Sequence, residues 1–502
     1  MLNEKYGVLS NHDEDFFGRF DSFCKGKEID KDNVRQELLS FFEHNLSPHI
    51  SDYVINISGQ CSATPTKTPI TFMGDIYYRT EENGLQVDYK NCYNTKFAKK
   101  LYYDFGIDLF EELFAFFKKN GCRYHISFRL NDCHDSFKET SDLRGELFYM
   151  AKKNGWFVGE KYGYWSTCLD FSFKEVRDII LSYIDEQISR YDSYGVEWDF
   201  SRELICFDYL ERTDCCEIMN GFLRDLKKTV KKAEEKWGHP IKINVRLGRD
   251  IEQNKIFGFD VKTWIDEKLV DSITPAPRFT VSDSEMPIPA WKELVKGTDI
   301  EIYAGVEMFT YNLTYNDDKA VAALAKKYLS QGADKIYMFN YFYAHFNAQG
   351  NSIVVAKTYA AASLSNIAAM DTRYIVNEQD FGPMNCSLYR PFPFMAKSGS
   401  TFVVNTSSYD KNQKISVYIA ADKKNFSIKV NGEKATEISP EGALLNLPMN
   451  SGWQFSYEVP KEVFVSGFEV VCDASNDSQI IEFELDDNAK VLYVEMYFHN
   501  EK

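Results

Sequence analysis

Eight stretches that read as buried strands recur along the first two thirds of the chain, starting near residues 6, 53, 123, 194, 241, 270, 300 and 334. Between them lie stretches with apolar residues at helical spacing, at 33–46, 108–119, 143–154, 173–190, 215–237, 259–268, 289–296, 317–331 and 352–366. A strand can pair in parallel with the next only through a crossover, and a helix is the usual one. Eight such units predict an α/β fold, a (β/α)8 TIM barrel. A doubly wound open sheet is the alternative, but no GxGxxG follows an early strand. The second strand runs into a long excursion over 61–107 with Pro65, Pro69 and a hairpin signal at Asn83-Gly84. Excursions of that length build lids, rims or interfaces.

After about residue 371 helical periodicity stops. Short alternating runs replace it, among them Thr401–Val404, Lys414–Ala420, Phe426–Val430 and Val491–Met496, with turn signals such as Asn431-Gly432. The expectation is a barrel over 1–370 and an antiparallel β-sandwich over 371–502. Such an appendage buttresses a barrel or binds sugar, and the buttress is the preferred reading.

A net charge of -17 argues against a nucleic-acid partner, which needs clustered Lys and Arg. The 11 cysteines are scattered, with no zinc-type CxxC pair, as in a reducing compartment. Met1–Lys5 has no apolar signal core and no window approaches a transmembrane run. The expectation is a cytoplasmic protein without a membrane partner, although a processed secreted chain reads the same. Aromatic residues reach 15%, which suits stacking on sugar rings, although most will be core.

The strand ends carry the chemistry. The first offers Asn11, His12 and Asp13, the second Gln60, and the third Arg129, Asn131, Asp132 and His134. Glu197, Asp199, Arg202 and Glu203 belong to the fourth, Arg246 to the fifth, Arg278 to the sixth and Glu307 to the seventh. Asn340 ends the eighth, with His345 and Asn347 beyond it. Ionisable groups at so many C-terminal strand ends point to an active site at the barrel mouth. Carboxylates facing each other across a mouth suit glycoside hydrolysis. Four arginines there, Arg129, Arg202, Arg246 and Arg278, suit a sugar with a negative charge. The alternative is local pairing, Arg129 with Asp132 and Arg202 with Glu203. His12-Asp13 and Asn131–Asp135 contain metal-ligand types, but no HxH or HExxH occurs, so neither metal nor cofactor is expected.

Two motifs carry a resemblance. Tyr194–Arg202, YGVEWDFSR, is similar to a strand of family-10-like glycosyl hydrolases, and Phe128–Asp135, FRLNDCHD, resembles another of theirs. With Asn11-His12-Asp13, the C-terminal sandwich and the length, the layout also resembles the inverting exo-sialidases of glycoside hydrolase family 156. That resemblance implies an aspartate and a histidine flanking the scissile bond, Asp13 and His134 here, without deciding which is acid and which base. Glu14 and Asp15 adjoin Asp13, so that assignment carries an offset of one or two positions. It also implies arginines on the substrate carboxylate, Arg129 and Arg202, an asparagine at Asn347, and a homodimer. Asn131, Asp132 and Arg246 complete the expected substrate-binding set, and the expected partner is a sialylated or other acidic glycan. Two other readings stay open. One is a retaining glycosidase acting through Asp199 and Glu307 on a uronic or neutral sugar, and the other is a non-catalytic glycan-binding barrel. A chitinase-type DxxDxDxE motif would need a glutamate at Ser201.

Overall fold

A computed structural model describes residues 7–13, 20, 23–24, 27–72, 100–136, 141, 143–277, 283–311, 314–341, 355–363, 370–377, 391–445, 447 and 459–500. Eight parallel strands close a barrel: β1 (Val8–His12), β2 (Ile50–Asn56), β3 (Arg123–Arg129), β4 (Gly195–Asp199), β5 (Lys242–Gly248), β6 (Ser272–Ala276), β7 (Glu301–Glu307) and β8 (Lys335–Phe339). Each pairs with its neighbours in sequence, and β1 pairs with β8 to complete the ring. The eight-stranded barrel read from the sequence is thus the observed fold.

Helices α1 (Val34–His44), α2 (Leu109–Lys119), α3 (Glu146–Asn154), α4 (Lys174–Arg190) and α5 (Cys215–Trp237) follow the first four strands. Then come α6 (Ile251–Ile256), α7 (Val261–Asp266), α8 (Ile288–Leu294), α9 (Asp318–Ser330) and α10 (Val355–Ala362). Local chemistry sets their ends. Asp108 accepts hydrogen bonds from the backbone of Phe110 and Glu111 at the start of α2, and Asp317 accepts one from Ala320 at the start of α9. Gly155 and Gly238 take the left-handed conformation that ends α3 and α5. Helix α6 and a small hairpin of Phe309–Tyr311 with Thr314–Tyr315 are additions to the predicted pattern. The turn expected at Asn83-Gly84, the β6 end at Arg278, and His345 and Asn347 lie outside the described residues.

Alternation along the strands divides two environments. On β3, Tyr124, Ile126 and Phe128, with Leu130 just past its end, belong to the apolar layer between barrel and helices. Tyr124 stacks on Phe114 at 4.9 Å, and Tyr53 of β2 stacks on Phe117 at 4.5 Å. Much of the aromatic content is spent in this layer. The alternate residues, Arg123, His125, Ser127 and Arg129, are the polar ones, and those of neighbouring strands bond to them through the barrel interior.

From residue 372 two antiparallel sheets form. The larger contains β9 (Thr372–Val376), β10 (Phe394–Ala396), β12 (Gln413–Ala421), β15 (Thr436–Ile438), β16 (Phe464–Cys472) and β18 (Ala489–Phe498). The smaller contains β11 (Thr401–Asn405), β13 (Ser427–Val430), β14 (Glu433–Lys434) and β17 (Ser478–Glu484). Ile415, Val417 and Val470 of the first pack in one core with Val404, Ile428 and Ile481 of the second, which makes the pair a sandwich.

The N-terminal end of the barrel is closed by charge. Asp52 meets Arg123 at 2.8 Å, Lys335 at 2.9 Å and His125 at 3.3 Å. Burial pushes the Asp52 carboxyl up, but His125, Lys335 and Arg123 outweigh it and hold it well below the usual carboxylate range. A carboxylate with a depressed folded-state pKa stabilises fully above its unfolded value, about 4, and loses that contribution as pH falls further. Asp52→Asn is therefore expected to cost roughly 3–5 kcal/mol at pH 7. Urea titrations of both proteins should show the difference narrowing progressively below about pH 4.

Candidate active site

Two charged clusters occupy the C-terminal half of the barrel. The deeper one lies inside it. Arg246 of β5 donates to Asp199 of β4 at 3.1 Å and to Glu307 of β7 at 3.0 Å, and its guanidinium lies 3.7 Å from the Phe339 ring centroid. All three side chains are buried to within 1%. The register explains the pairing, because Asp199 stands directly beside Arg246 and their side chains share a face. One step below, Glu197 accepts from Ser127 at 2.7 Å, Asn244 at 2.6 Å and Tyr337 at 2.9 Å. Burial, followed by the Asp199 charge, pushes the Glu197 carboxyl up to about 7.

The second cluster lies nearer the surface and joins β1, β3 and β4. Asp13, just past β1, meets Arg129 at 2.9 Å. Arg129 also reaches Asp132 at 3.3 Å. Asp132 accepts from His134 Nδ1 at 2.5 Å and from its backbone N–H at 2.8 Å. On the far side of the ring, Arg202 donates to His134 Nε2. Burial raises the Asp132 carboxyl, yet His134, Arg129 and Arg202 prevail and hold it well below the usual range. His134 is therefore fixed with Nδ1–H toward an ionised carboxylate and its Nε2 lone pair toward Arg202. Gln60 of the β2 loop donates to the His134 carbonyl at 2.6 Å and fixes the loop.

The structure thus brings Asp13, Arg129, Asp132, His134 and Arg202 into one chain of contacts. Arg129 pairs locally with Asp132, as the alternative reading had it, and also reaches Asp13. Arg202 Nε lies 3.9 Å from Glu203, whose other oxygen accepts from the Trp165 indole at 2.7 Å. Arg246 serves the deeper cluster instead. Asn131 is engaged with backbone: it donates to Leu169 O at 3.0 Å and Ile205 O at 2.8 Å, and accepts from Leu169 N at 3.0 Å. It laces three mouth loops together rather than facing a ligand. Asn347 lies outside the described residues.

Sequence reasoning did not pick out Trp165 or the Ser127–Asn244–Tyr337 cradle of Glu197. Inward position on neighbouring strands is the signal for the cradle, and it appears only once register is fixed. Arg249, whose guanidinium reaches Asp250 at 3.1 Å and also Asp283, was legible as a charge beyond a strand end. The expected β5 end at Arg246 stopped two residues short of Gly248. Among the described residues, no three His, Cys, Asp or Glu side chains are grouped to hold a metal ion, and no helix is long and apolar enough to cross a membrane.

No protein-family model matches the chain, and no curated protein does. Similar solved structures include an α-L-fucosidase from Lactobacillus casei bound to its α-L-fucose product, at 13% identity and a TM-score of 0.34, covering 72% of this chain and 94% of that one. A family-18 N-acetylglucosaminidase from Paenibacillus barengoltzii shows 10% identity and a TM-score of 0.34, covering 71% of this chain and 99% of that one. A catalytic domain of a group II chitinase from Ostrinia furnacalis shows 10% identity and a TM-score of 0.38, with 72% and 97% covered. Those neighbours are glycoside hydrolases, and likeness of this degree says nothing about this chain's reaction.

The deeper cluster predicts a pH effect. A carboxyl with a raised folded-state pKa keeps its proton while the unfolded chain loses it, so stability falls as pH rises from about 4.3 to about 7. Glu197→Gln removes that slope. Relative to wild type it should gain on the order of 3 kcal/mol between pH 4 and pH 8, at ~1.4 kcal/mol per pH unit. Denaturant titrations at the two pH values check it.

Proposed function

We propose that the protein is a glycoside hydrolase that releases a terminal acidic sugar, sialic acid first among them, with inversion of configuration. The observation that carries this reading is the second cluster. His134 and Asp13 are its more accessible members, with side chains 32% and 17% exposed, while Asp132, Arg129 and Arg202 behind them are at most 9% exposed. A histidine oriented by a buried carboxylate and an aspartate held by a buried arginine are two proton-transfer groups in set positions.

Inversion needs such a pair and no protein nucleophile. One group takes the proton of the attacking water while the other supplies a proton to the leaving oxygen. A substrate carboxylate beside the anomeric carbon repels an attacking Asp or Glu, which favours water as nucleophile. The same carboxylate gives Arg202 an oppositely charged partner that can accept two parallel hydrogen bonds, which a single imidazole nitrogen cannot. Moving Arg202 onto substrate uncovers His134 Nε2, so binding and proton transfer are linked through one side chain. Arg129, already shared by Asp13 and Asp132, acts mainly by holding those two acids in place.

The competing assignment to Asp199 and Glu307 is disfavoured by the Arg246 clamp. Retaining hydrolysis needs one carboxylate that attacks and one that donates a proton, whereas both of these are bonded to one buried cation. Proton NMR of the first-released anomer from an aryl sialoside is the direct test, and inversion is expected. Asp13→Ala and His134→Ala should each lower kcat by roughly 10²–10⁴-fold with the fold intact. Arg202→Ala should cost roughly 2–5 kcal/mol in binding, seen mainly in KM. Retention of configuration, or near-wild-type rates in the first two variants, would move the reaction to the Asp199–Glu307 cluster. Binding of glycans with no turnover at high enzyme concentration would make the barrel a lectin.

A further inference from the structure

His134 stands in a turn that carries backbone strain. Ser136 N donates to Cys133 O at 3.2 Å, which closes a β-turn with His134 and Asp135 at its centre. Of these two, only Asp135 has a positive φ, at 61°, the pattern of a type II turn. That position favours glycine or asparagine, and another residue there is uncommon. A type I turn over the same residues needs no left-handed backbone, so the surrounding structure must hold the less favourable form.

Two side chains hold it, one on each carbonyl of the central pair. Gln60 Nε2 donates to the His134 carbonyl and Arg144 Nη2 to the Asp135 carbonyl, both at 2.6 Å. The two donors are themselves tied together, because Gly145 N, next to Arg144, donates to Gln60 O at 3.2 Å. A Cβ at Gly145 would lie 2.6 Å from Ile70 O and 2.9 Å from Gln60 O, so only glycine allows this approach. His134, Gln60, Gly145, Arg144 and Asp135 thus form one closed ring of covalent and hydrogen bonds. Arg144 is 2% exposed, and its guanidinium lies 4.0 Å from the ring centroid of Phe148 on α3. Stacking fixes the plane of the donor fork, and a hydrogen bond from a buried charged group is among the stronger ones.

We infer that Arg144 is a positioning residue: with Gln60 it holds the left-handed turn at Asp135 and so keeps His134 seated on Asp132. The inference rests on the reading of His134 as a proton-transfer group. Its test uses the full chain with Arg144→Met, which removes the donor, and Arg144→Lys, which restores one. With an aryl sialoside, Arg144→Met should lower kcat by about 10²-fold, the effect of roughly 1 Å of misplacement. KM should stay within about threefold, because the lost interaction acts in the transition state. Arg144→Lys should recover roughly tenfold of the loss, since an ammonium brings a donor without the planar fork. Histidine-selective ¹⁵N NMR reads the geometry directly, with the His134 ring signals assigned by their loss in His134→Ala. Arg144→Met should move those signals toward the averaged pattern of an unrestrained imidazole. If circular dichroism shows Arg144→Met unfolded, Asp135→Val makes the same test, because a β-branched residue resists the left-handed turn; Asp135→Gly is its active control. The inference is overturned by a near-wild-type kcat, by an effect confined to KM, by no recovery in Arg144→Lys, or by unchanged His134 ring signals. If the wild type turns over no sialoside, the proposed reaction falls and the ring signals alone decide the role of Arg144.

Discussion

The buried guanidinium of Arg246 is the constraint on which the upper barrel depends. Removing such a cation from water costs several kcal/mol unless opposite charge and hydrogen bonds replace the solvent. Asp199 and Glu307 supply that replacement from β4 and β7, and Phe339 of β8 covers the guanidinium face. One side chain thus ties together four of the eight strands. The arrangement also fixes register. A shift of β5 by one residue would point Arg246 into the apolar layer and leave two buried acids without their cation.

That interior charge has a consequence for chemistry. Asp199 and Glu307 are both bonded to the Arg246 guanidinium, and Glu197 beneath them is cradled by three donors. The groups left with access are those just past the strands, where backbone turns outward. Asp132 connects the two roles. It is buried and ionised by its cations, and through the imidazole it orients a group that a ligand can reach. The cluster is buried behind, at Asp132, Arg129 and Arg202, and more accessible in front, at His134 and Asp13.

The sandwich is joined to the barrel by polar contacts as well as by apolar packing. Lys327 of α9, Glu285 before α8 and Asn405 of β11 form one network across the junction. Arg249 extends it toward β5 through Asp283. Together these contacts fit the role of a buttress.

Periodicity alone determined the barrel and the sandwich. Apolar alternation and helical spacing are local properties, and eight of one separated by the other admit few closed arrangements. It also determined that charge gathers at the strand ends, since Arg129, Asp132, His134, Asp199, Arg202, Arg246 and Glu307 are all readable there. Which of them act together was decided by tertiary structure. Arg129 and Arg246 look alike in sequence, but register sets one between Asp13 and Asp132 and the other between Asp199 and Glu307. Asn131 looks like a ligand-binding asparagine until the loops around it close and take up its donors and acceptor. An ion pair or a hydrogen bond depends on distances between strands that the chain brings together from far apart. No local pattern encodes those distances, so the sequence supplies the chemical groups and the closed barrel selects the pairs.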